Sequence, residues 1–216
     1  MSYNHKVLEV NDYGNGNYIL KLERNNISFN AGQFFSIGIP DILINREYSV
    51  CSGEKDDYLE FLIREISDGI LSKKLRELKK GNEVKVLGPY GNFYLKKMDY
   101  NKKYIFIASG TGISPFMSLI KTYPDLNYKI YHGIRFHEDS IEELNNENYI
   151  KFITREKIKK KNCFNGRITN YFNLINEEDK DSYAFLCGNS LMVTEIYDKL
   201  IKNNFKSENI FTEIFF

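Results

Sequence analysis

The chain has almost no net charge. Its 30 Lys and Arg face 29 Asp and Glu over 216 residues, a formal charge of +1, so no bulk attraction draws it to nucleic acid. It lacks any apolar run near the roughly 20 residues that a bilayer span requires. The start, Met1-Ser2-Tyr3-Asn4-His5, has no basic head followed by an apolar segment, and so does not read as a secretory signal. Cys51, Cys163 and Cys187 are scattered and odd in number. Without a Cys-x-x-Cys they support neither a disulfide framework nor a zinc or iron–sulfur site. His5, His132 and His137 have no metal-ligand spacing and no nucleophile elbow is present, which argues against metalloenzyme and hydrolase chemistry. A reducing cytosol is the expected setting, with no membrane and no nucleic-acid partner.

The length suits two domains of about 100 residues each, and the rhythm of the chain changes near Met98. Before it, short strands are expected at Lys6–Val10, Tyr18–Leu22, Phe34–Ile39, Arg46–Ser49, Tyr58–Ile66 and Glu83–Leu87. Turn chemistry separates them, as at Asp12-Tyr13-Gly14-Asn15-Gly16-Asn17. Many short strands and turns predict a small antiparallel barrel over residues 1–98. One helix interrupts it, with Leu71, Leu75 and Leu78 on one face and Gly81 as a stop. Its outer face carries Lys73, Lys74, Arg76, Lys79 and Lys80, either a solvated surface or a docking patch. After Met98 five apolar strands are expected: Tyr104–Ala108, Tyr128–Gly133, Tyr149–Thr154, Tyr183–Cys187 and Ile210–Ile214. Helical patterns alternate with them at Pro115–Lys121, Glu138–Asn145, Ile168–Ile175 and Leu191–Ile201. Such alternation predicts an α/β domain over residues 99–216, with a five-stranded parallel sheet covered on both faces.

Several stretches carry chemistry. In Arg46-Glu47-Tyr48-Ser49, period-two geometry puts Arg46 and Tyr48 on one face of a strand. A guanidinium fork, a flat ring and a hydroxyl together suit a planar, phosphate-bearing cofactor; an ordinary surface strand has the same composition. Ser109-Gly110-Thr111-Gly112-Ile113-Ser114-Pro115 lies between a strand and a helix. There glycines permit close backbone approach and free helix N–H groups favour an anion. Pro115 suits the first helical position; it stands where the dehydrogenase fingerprint has its third glycine, so that fingerprint is absent. The second strand of the sheet ends in His132-Gly133-Ile134-Arg135, and Thr154-Arg155 and Arg167 follow later strands. No acid stands where a ribose 2′-hydroxyl would need one. Instead three arginines can surround a 2′-phosphate, with Glu138, Asp139 and Glu156 near enough in sequence to neutralise them. Cys187-Gly188-Asn189 closes the fourth strand.

These segments, in this order, resemble the bacterial type of the ferredoxin/flavodoxin–NADP reductase family, and the resemblance covers nearly the whole chain. Arg46-Glu47-Tyr48-Ser49 is similar to that family's Arg-x-Tyr-Ser flavin motif. Asp68-Gly69-Ile70-Leu71-Ser72 resembles its second pyrophosphate segment, and Gly110-Thr111-Gly112-Ile113-Ser114-Pro115-Phe116 its Gly-Thr-Gly-x-x-Pro-Phe motif. Cys187-Gly188-Asn189 with Met192 resembles its nicotinamide segment. The resemblance implies an FAD set of Arg46, Glu47, Tyr48, Ser49, Leu62, Ile70, Leu71, Ser72, Thr111 and Phe216. Within it Tyr48 stacks on the flavin, Ser49 sits near N5 and Arg46 holds the pyrophosphate. It implies an NADP set of Gly110, Gly112, Arg135, Thr154, Arg155, Arg167, Gly188, Asn189 and Met192. Ser49, Cys187, Glu213 and Phe215 are the groups implied around hydride transfer, Phe215 as a gate. Bacterial relatives end in a Tyr-Trp pair where this chain has Phe215-Phe216, and Leu62 replaces an aromatic.

The activity so implied passes electrons between NADPH and ferredoxin or flavodoxin through FAD. Such carriers are acidic, and the lysines of Lys73–Lys80 and Lys96–Lys103 could steer them. Two alternatives stand beside it. One is a flavin reductase or oxygenase reductase component of the same fold. The other is a flavin- or nucleotide-binding sensor without turnover.

Overall fold

A computed structural model describes residues 3–40, 42–96, 98–144, 146–176 and 180–215. Contacts divide the chain into two units, Met1–Lys96 with Ser114–Pro124 and Lys97–Ile113 with Asp125–Phe216.

The first unit is a six-stranded antiparallel sheet. Its strands are β1 (Tyr3–Gly14), β2 (Asn17–Glu23), β3 (Phe34–Gly38), β4 (Asn45–Ser49), β5 (Tyr58–Arg64) and β6 (Glu83–Tyr90), in the order β4-β3-β6-β1-β2-β5. The two ends of this order meet. Val50 bridges Phe61 antiparallel and the Cys51 N–H donates to the Glu60 carbonyl (2.8 Å), so the sheet curls towards closure and hides its edges. Alternation puts Val7, Leu20, Leu22, Phe35, Ile37, Phe61, Ile63, Val84 and Val86 in one core. Helix α1 (Ile70–Glu77) adds Leu71 and Leu75 to that core. It is tied to β2 by the Tyr18 hydroxyl, which donates to the Ser72 carbonyl (2.6 Å). Arg76 is not a free docking cation: it pairs with Asp12 (2.7 Å) and Glu65 (2.9 Å). Helix α2 (Ser114–Thr122) groups with this unit. Its Ser118 hydroxyl donates to the Ser52 carbonyl (2.6 Å), Lys121 pairs with Glu60 (3.0 Å) and Thr122 accepts from the Glu54 N–H (3.0 Å).

The second unit is a parallel sheet of β7 (Tyr104–Ser109), β8 (Tyr128–Ile134), β9 (Tyr149–Ile153), β10 (Cys163–Asn165), β11 (Tyr183–Asn189) and β12 (Ile210–Phe215), in the order β10-β9-β8-β7-β11-β12. It has six strands, not the expected five. The sixth, β10, is three residues long and is held by its backbone register on β9, so it is too short to show a side-chain period. The expected helix over Glu138–Asn145 is instead two 3₁₀ turns at His137–Asp139 and Glu142–Leu144, with Asn145 outside the described residues. Local bonds win there: the Asp139 carboxylate takes the Phe136 N–H (2.9 Å) and the Ser140 hydroxyl donates to the His137 carbonyl (2.5 Å). The pattern over Ile168–Ile175 splits into a 3₁₀ turn at Ile168–Tyr171 and the short helix α3 (Phe172–Asn176). Helix α4 (Ser190–Lys202) buries Met192, Val193, Ile196 and Leu200 against Ile105, Ile107, Tyr131, Phe152 and Leu186. Among the described residues no helix is long and apolar enough to cross a membrane.

Candidate functional site

In the first unit the candidate groups lie on β4 and at the start of α1. β4 is the last strand in its order, paired with β3, so its outer residues reach solvent. Arg46 and Glu47 are exposed, Tyr48 is half-buried and Ser49 is buried. Register sets Arg46 opposite Ile37 and Tyr48 opposite Phe35, which keeps Arg46 and Tyr48 on one face. The Tyr48 ring packs on the barrel core, and burial pushes its phenol up to about 12, so it stays a neutral flat surface. The Arg46 guanidinium donates to the neighbouring Asn45 carbonyl (2.8 Å). At α1 the N-cap is Gly69, with no side-chain cap, so the first-turn N–H groups suit an anion. Ser72 is buried and its hydroxyl accepts from the Ile66 N–H (3.1 Å). It therefore shapes the turn before α1, and its own proton is left to donate. Ile70 is exposed, whereas Leu71 and Leu62 are buried. An exposed guanidinium and an uncapped helix start fit a pyrophosphate, and the half-buried Tyr48 ring fits a flavin. Phe216 lies outside the described residues.

In the second unit the strand order reverses beside β7: β8, β9 and β10 continue on one side, β11 and β12 on the other. Such a reversal places a crevice at the carboxyl ends of β7 and β11. The β7 loop is a 3₁₀ turn, Gly110–Ile113, that runs into α2 at Ser114. Pro115 is thus the second α-helical residue and not the first helical position. Gly112 touches the backbone at the end of β11: a Cβ there would lie 2.4 Å from the Cys187 carbonyl oxygen and 2.7 Å from Gly188 Cα. Gly188, at φ +131°, sits as tightly on Ser109, whose hydroxyl accepts from the Asn189 N–H (2.9 Å). Asn189 also caps α4 by accepting from the Leu191 N–H (3.1 Å), and Met192 is buried one turn on. Gly110 and Thr111 are left on the open side of this clasp.

Cys187 is fully buried beside Glu213 in parallel register, and Asn189 is beside Phe215. Burial, with the Glu213 carboxylate, holds the Cys187 thiol well above the usual thiol range. At neutral pH it is a neutral, soft contact and not a thiolate nucleophile. Arg135 follows β8 directly, and the Arg155 N–H donates to the Arg135 carbonyl (2.9 Å). Arg167 follows β10 by one residue, and the Gly166 N–H donates to the Ile153 carbonyl (2.7 Å). All three arginines are exposed at carboxyl ends of strands. The Glu156 carboxylate accepts the His137 N–H, while the Thr154 hydroxyl donates to the Ile134 carbonyl (3.1 Å).

Sequence reasoning missed the polar groups under the β7 turn. His132 is buried in β8, and its Nε2 lies 2.8 Å from the Gly110 carbonyl. A histidine inside a mostly apolar strand was the available signal. Burial pushes its imidazole down to about 4. A histidine that must take up a proton on unfolding costs stability as pH falls from its ordinary 6.5 to about 4, and nothing further below that. Wild type should therefore lose on the order of 3 kcal/mol over this window relative to H132Q, which has no proton to take up. Urea-unfolding midpoints at pH 7, 5.5 and 4.5 would measure this. Parallel curves for the two proteins would contradict it.

Comparison with known proteins agrees with the two-unit fold. Residues 11–94 match the family "Oxidoreductase FAD-binding domain". Methane monooxygenase component C of Methylosinus trichosporium is 41% identical over 99 residues, 45% of this chain, but the chain spans only 29% of that protein's length. Ferredoxin–NADP reductase of Pseudomonas aeruginosa is 27% identical over 223 residues, 89% of this chain and 86% of its own. In fold, the chain is similar to a ferredoxin NADP⁺ reductase from Neisseria gonorrhoeae solved with bound FAD and NADP. That likeness has a TM-score of 0.82 at 21% identity and covers 100% of this chain and 99% of the other. The likeness runs through both the antiparallel and the parallel unit, so the chain shares the two-unit fold of that reductase and is similar in sequence to ferredoxin–NADP reductases.

Proposed function

We propose that this chain is an FAD-dependent oxidoreductase that passes electrons between NADPH and a one-electron carrier, ferredoxin or flavodoxin. The observation that carries this reading is the end-to-end alignment with a ferredoxin–NADP reductase, over 89% of this chain and 86% of that protein. FAD, when bound, supplies a group that accepts two electrons together and returns them singly.

In this reading Arg46 and the uncapped start of α1 at Ile70 and Leu71 neutralise the FAD pyrophosphate, with Ser72 shaping that turn. Tyr48 offers its neutral face to the flavin ring and Ser49 a hydrogen bond. Glu47, Leu62 and Thr111 complete the FAD set, with Phe216 as its terminal member. Gly110, Gly112 and Gly188 let backbone approach the nicotinamide nucleotide, beside Asn189 and Met192. Arg135, Arg155 and Arg167, with Thr154 fixing the turn after β9, receive the 2′-phosphate. Cys187 stays protonated, so it neither attacks the nicotinamide nor places a negative charge on it. Glu213 and Phe215 border the same strand end, Phe215 as the gate. Exposed Lys73, Lys74, Lys79 and Lys80 offer positive charge to an acidic carrier; Arg76 is already paired.

A second reading, the reductase component of an oxygenase, is favoured by the 41% identity over 99 residues to methane monooxygenase component C. An absorption spectrum of the purified protein before and after anaerobic NADPH tests the first reading. A two-banded flavin spectrum that bleaches, then recovers when oxidised flavodoxin or ferredoxin is added, is expected. Bleaching with no recovery by either carrier would transfer the case to the oxygenase partner. No flavin, even after FAD is supplied, would sink both.

A further inference from the structure

One hydrogen-bonded chain in the second unit has no role in the electron transfer just proposed. It starts at the Ile141 N–H, which donates to the Tyr149 hydroxyl oxygen (3.2 Å). It runs on from Tyr149 to His132 Nδ1 (2.7 Å) and from His132 Nε2 to the Gly110 carbonyl (2.8 Å). The two ends fix its direction. A carbonyl only accepts, so Nε2 carries the imidazole proton. Nδ1 must then accept, and Tyr149 supplies the hydroxyl proton. The Tyr149 oxygen has a lone pair for the Ile141 N–H. Both rings are buried and stacked, with centroids 5.9 Å apart at 29°. Burial also keeps the imidazole neutral at working pH, which this one-way chain requires.

The receiving end is the first residue of the Gly110–Ile113 turn. Gly110 is exposed, at φ +54°, and has no atom near its absent Cβ. Further along, the turn is gripped through Gly112 on the Cys187 backbone. At Gly110 the observed hold is the His132 bond. A left-handed glycine in open space samples many conformations when unheld, and ordering such a turn on binding weakens affinity.

We propose that His132 is a positioning residue. As the Nε2–H tautomer set by Tyr149, it clamps the Gly110 carbonyl and preorganises the Gly110–Ile113 turn for the nicotinamide nucleotide. The inference rests on reading that turn as the nucleotide site, and it adds to that reading the residues that shape the turn.

The test uses the full chain and three variants. In H132Q the side-chain amide extends about as far as imidazole Nε2 and can still donate to Gly110. In H132N the shorter amide reaches only the Nδ1 position. Y149F keeps the ring and removes the proton that sets the tautomer. Hydrogen exchange of the Gly110–Ile113 amides, read without nucleotide, should quicken about tenfold in H132N and by less in Y149F, with α4 amides unchanged. With ferricyanide as acceptor, KM for NADPH should rise about five- to tenfold in H132N while kcat stays within about twofold. H132Q should recover most of both effects. If H132N and H132Q behave alike, or if exchange quickens with no change in NADP⁺ affinity, the clamp has no positioning role and the proposal falls. If H132N fails to fold, Y149F carries the same comparison. A wild-type chain that binds no NADP⁺ in calorimetry would remove the nucleotide reading itself, and that control tells the two failures apart.

Discussion

A Gly112→Ala protein should lose about 2–3 kcal/mol of stability and bind NADP⁺ at least about tenfold more weakly, with its FAD content unchanged. The added methyl would sit 2.4 Å from the Cys187 carbonyl oxygen and 2.7 Å from its carbonyl carbon. Both are backbone atoms at the end of a buried strand, so neither can swing aside as a flexible side-chain tip would. The β7 turn and the end of β11 must separate, and they border the point where the strand order reverses. Gly133→Ala is the control. It lies on the next strand of the same sheet, and its added Cβ would meet nothing nearer than 3.6 Å, so it should melt close to wild type. Thermal melting, flavin absorbance per protein and NADP⁺ calorimetry on the two variants would settle the matter. Equal melting of Gly112→Ala and Gly133→Ala would show that the loops part without cost.

Arg155→Ala should raise KM for NADPH about 10- to 100-fold, the worth of one or two charge-assisted hydrogen bonds. KM for NADH should stay within about twofold. Arg135→Ala and Arg167→Ala should act in the same direction. The reason is placement: the Arg155 N–H bonds the Arg135 carbonyl, and Arg167 leaves the sheet one strand over. Three guanidinium stems thus start from adjacent strand ends. The adenosine 2′-phosphate is the only group that separates the two nucleotides, so a loss confined to NADPH reports on that phosphate. Initial rates with both nucleotides and ferricyanide give the ratio. Equal weakening of both would mean that the arginines hold a shared part of the nucleotide or merely support the loops.

Much of this was legible in the chain. Period-two alternation and turn residues marked the strands of the first unit, because a half-buried antiparallel sheet needs just that pattern. The stripe of Val193, Ile196, Tyr197 and Leu200 marked α4, and Ser109–Pro115 marked a backbone turn before a helix, because each is a local requirement of the polypeptide. What was misread were segments whose conformation is set by bonds that leave no period. Asp139 and Ser140 satisfy backbone groups in place and break a helix pattern into two turns. The three residues of β10 become a strand only because β9 offers its edge.

The sequence by itself determined two units of different rhythm and the succession of most strands along the chain, since hydrophobic period and turn chemistry act over a few neighbouring residues. Only the tertiary structure decided which loops clasp, that Gly112 seats on the backbone of Cys187, that Cys187 is a sealed neutral thiol, and that His132 holds Gly110 from a strand 22 residues away. Those outcomes depend on contacts between chain segments far apart in sequence. Strand order and burial choose such contacts, and no local pattern encodes either.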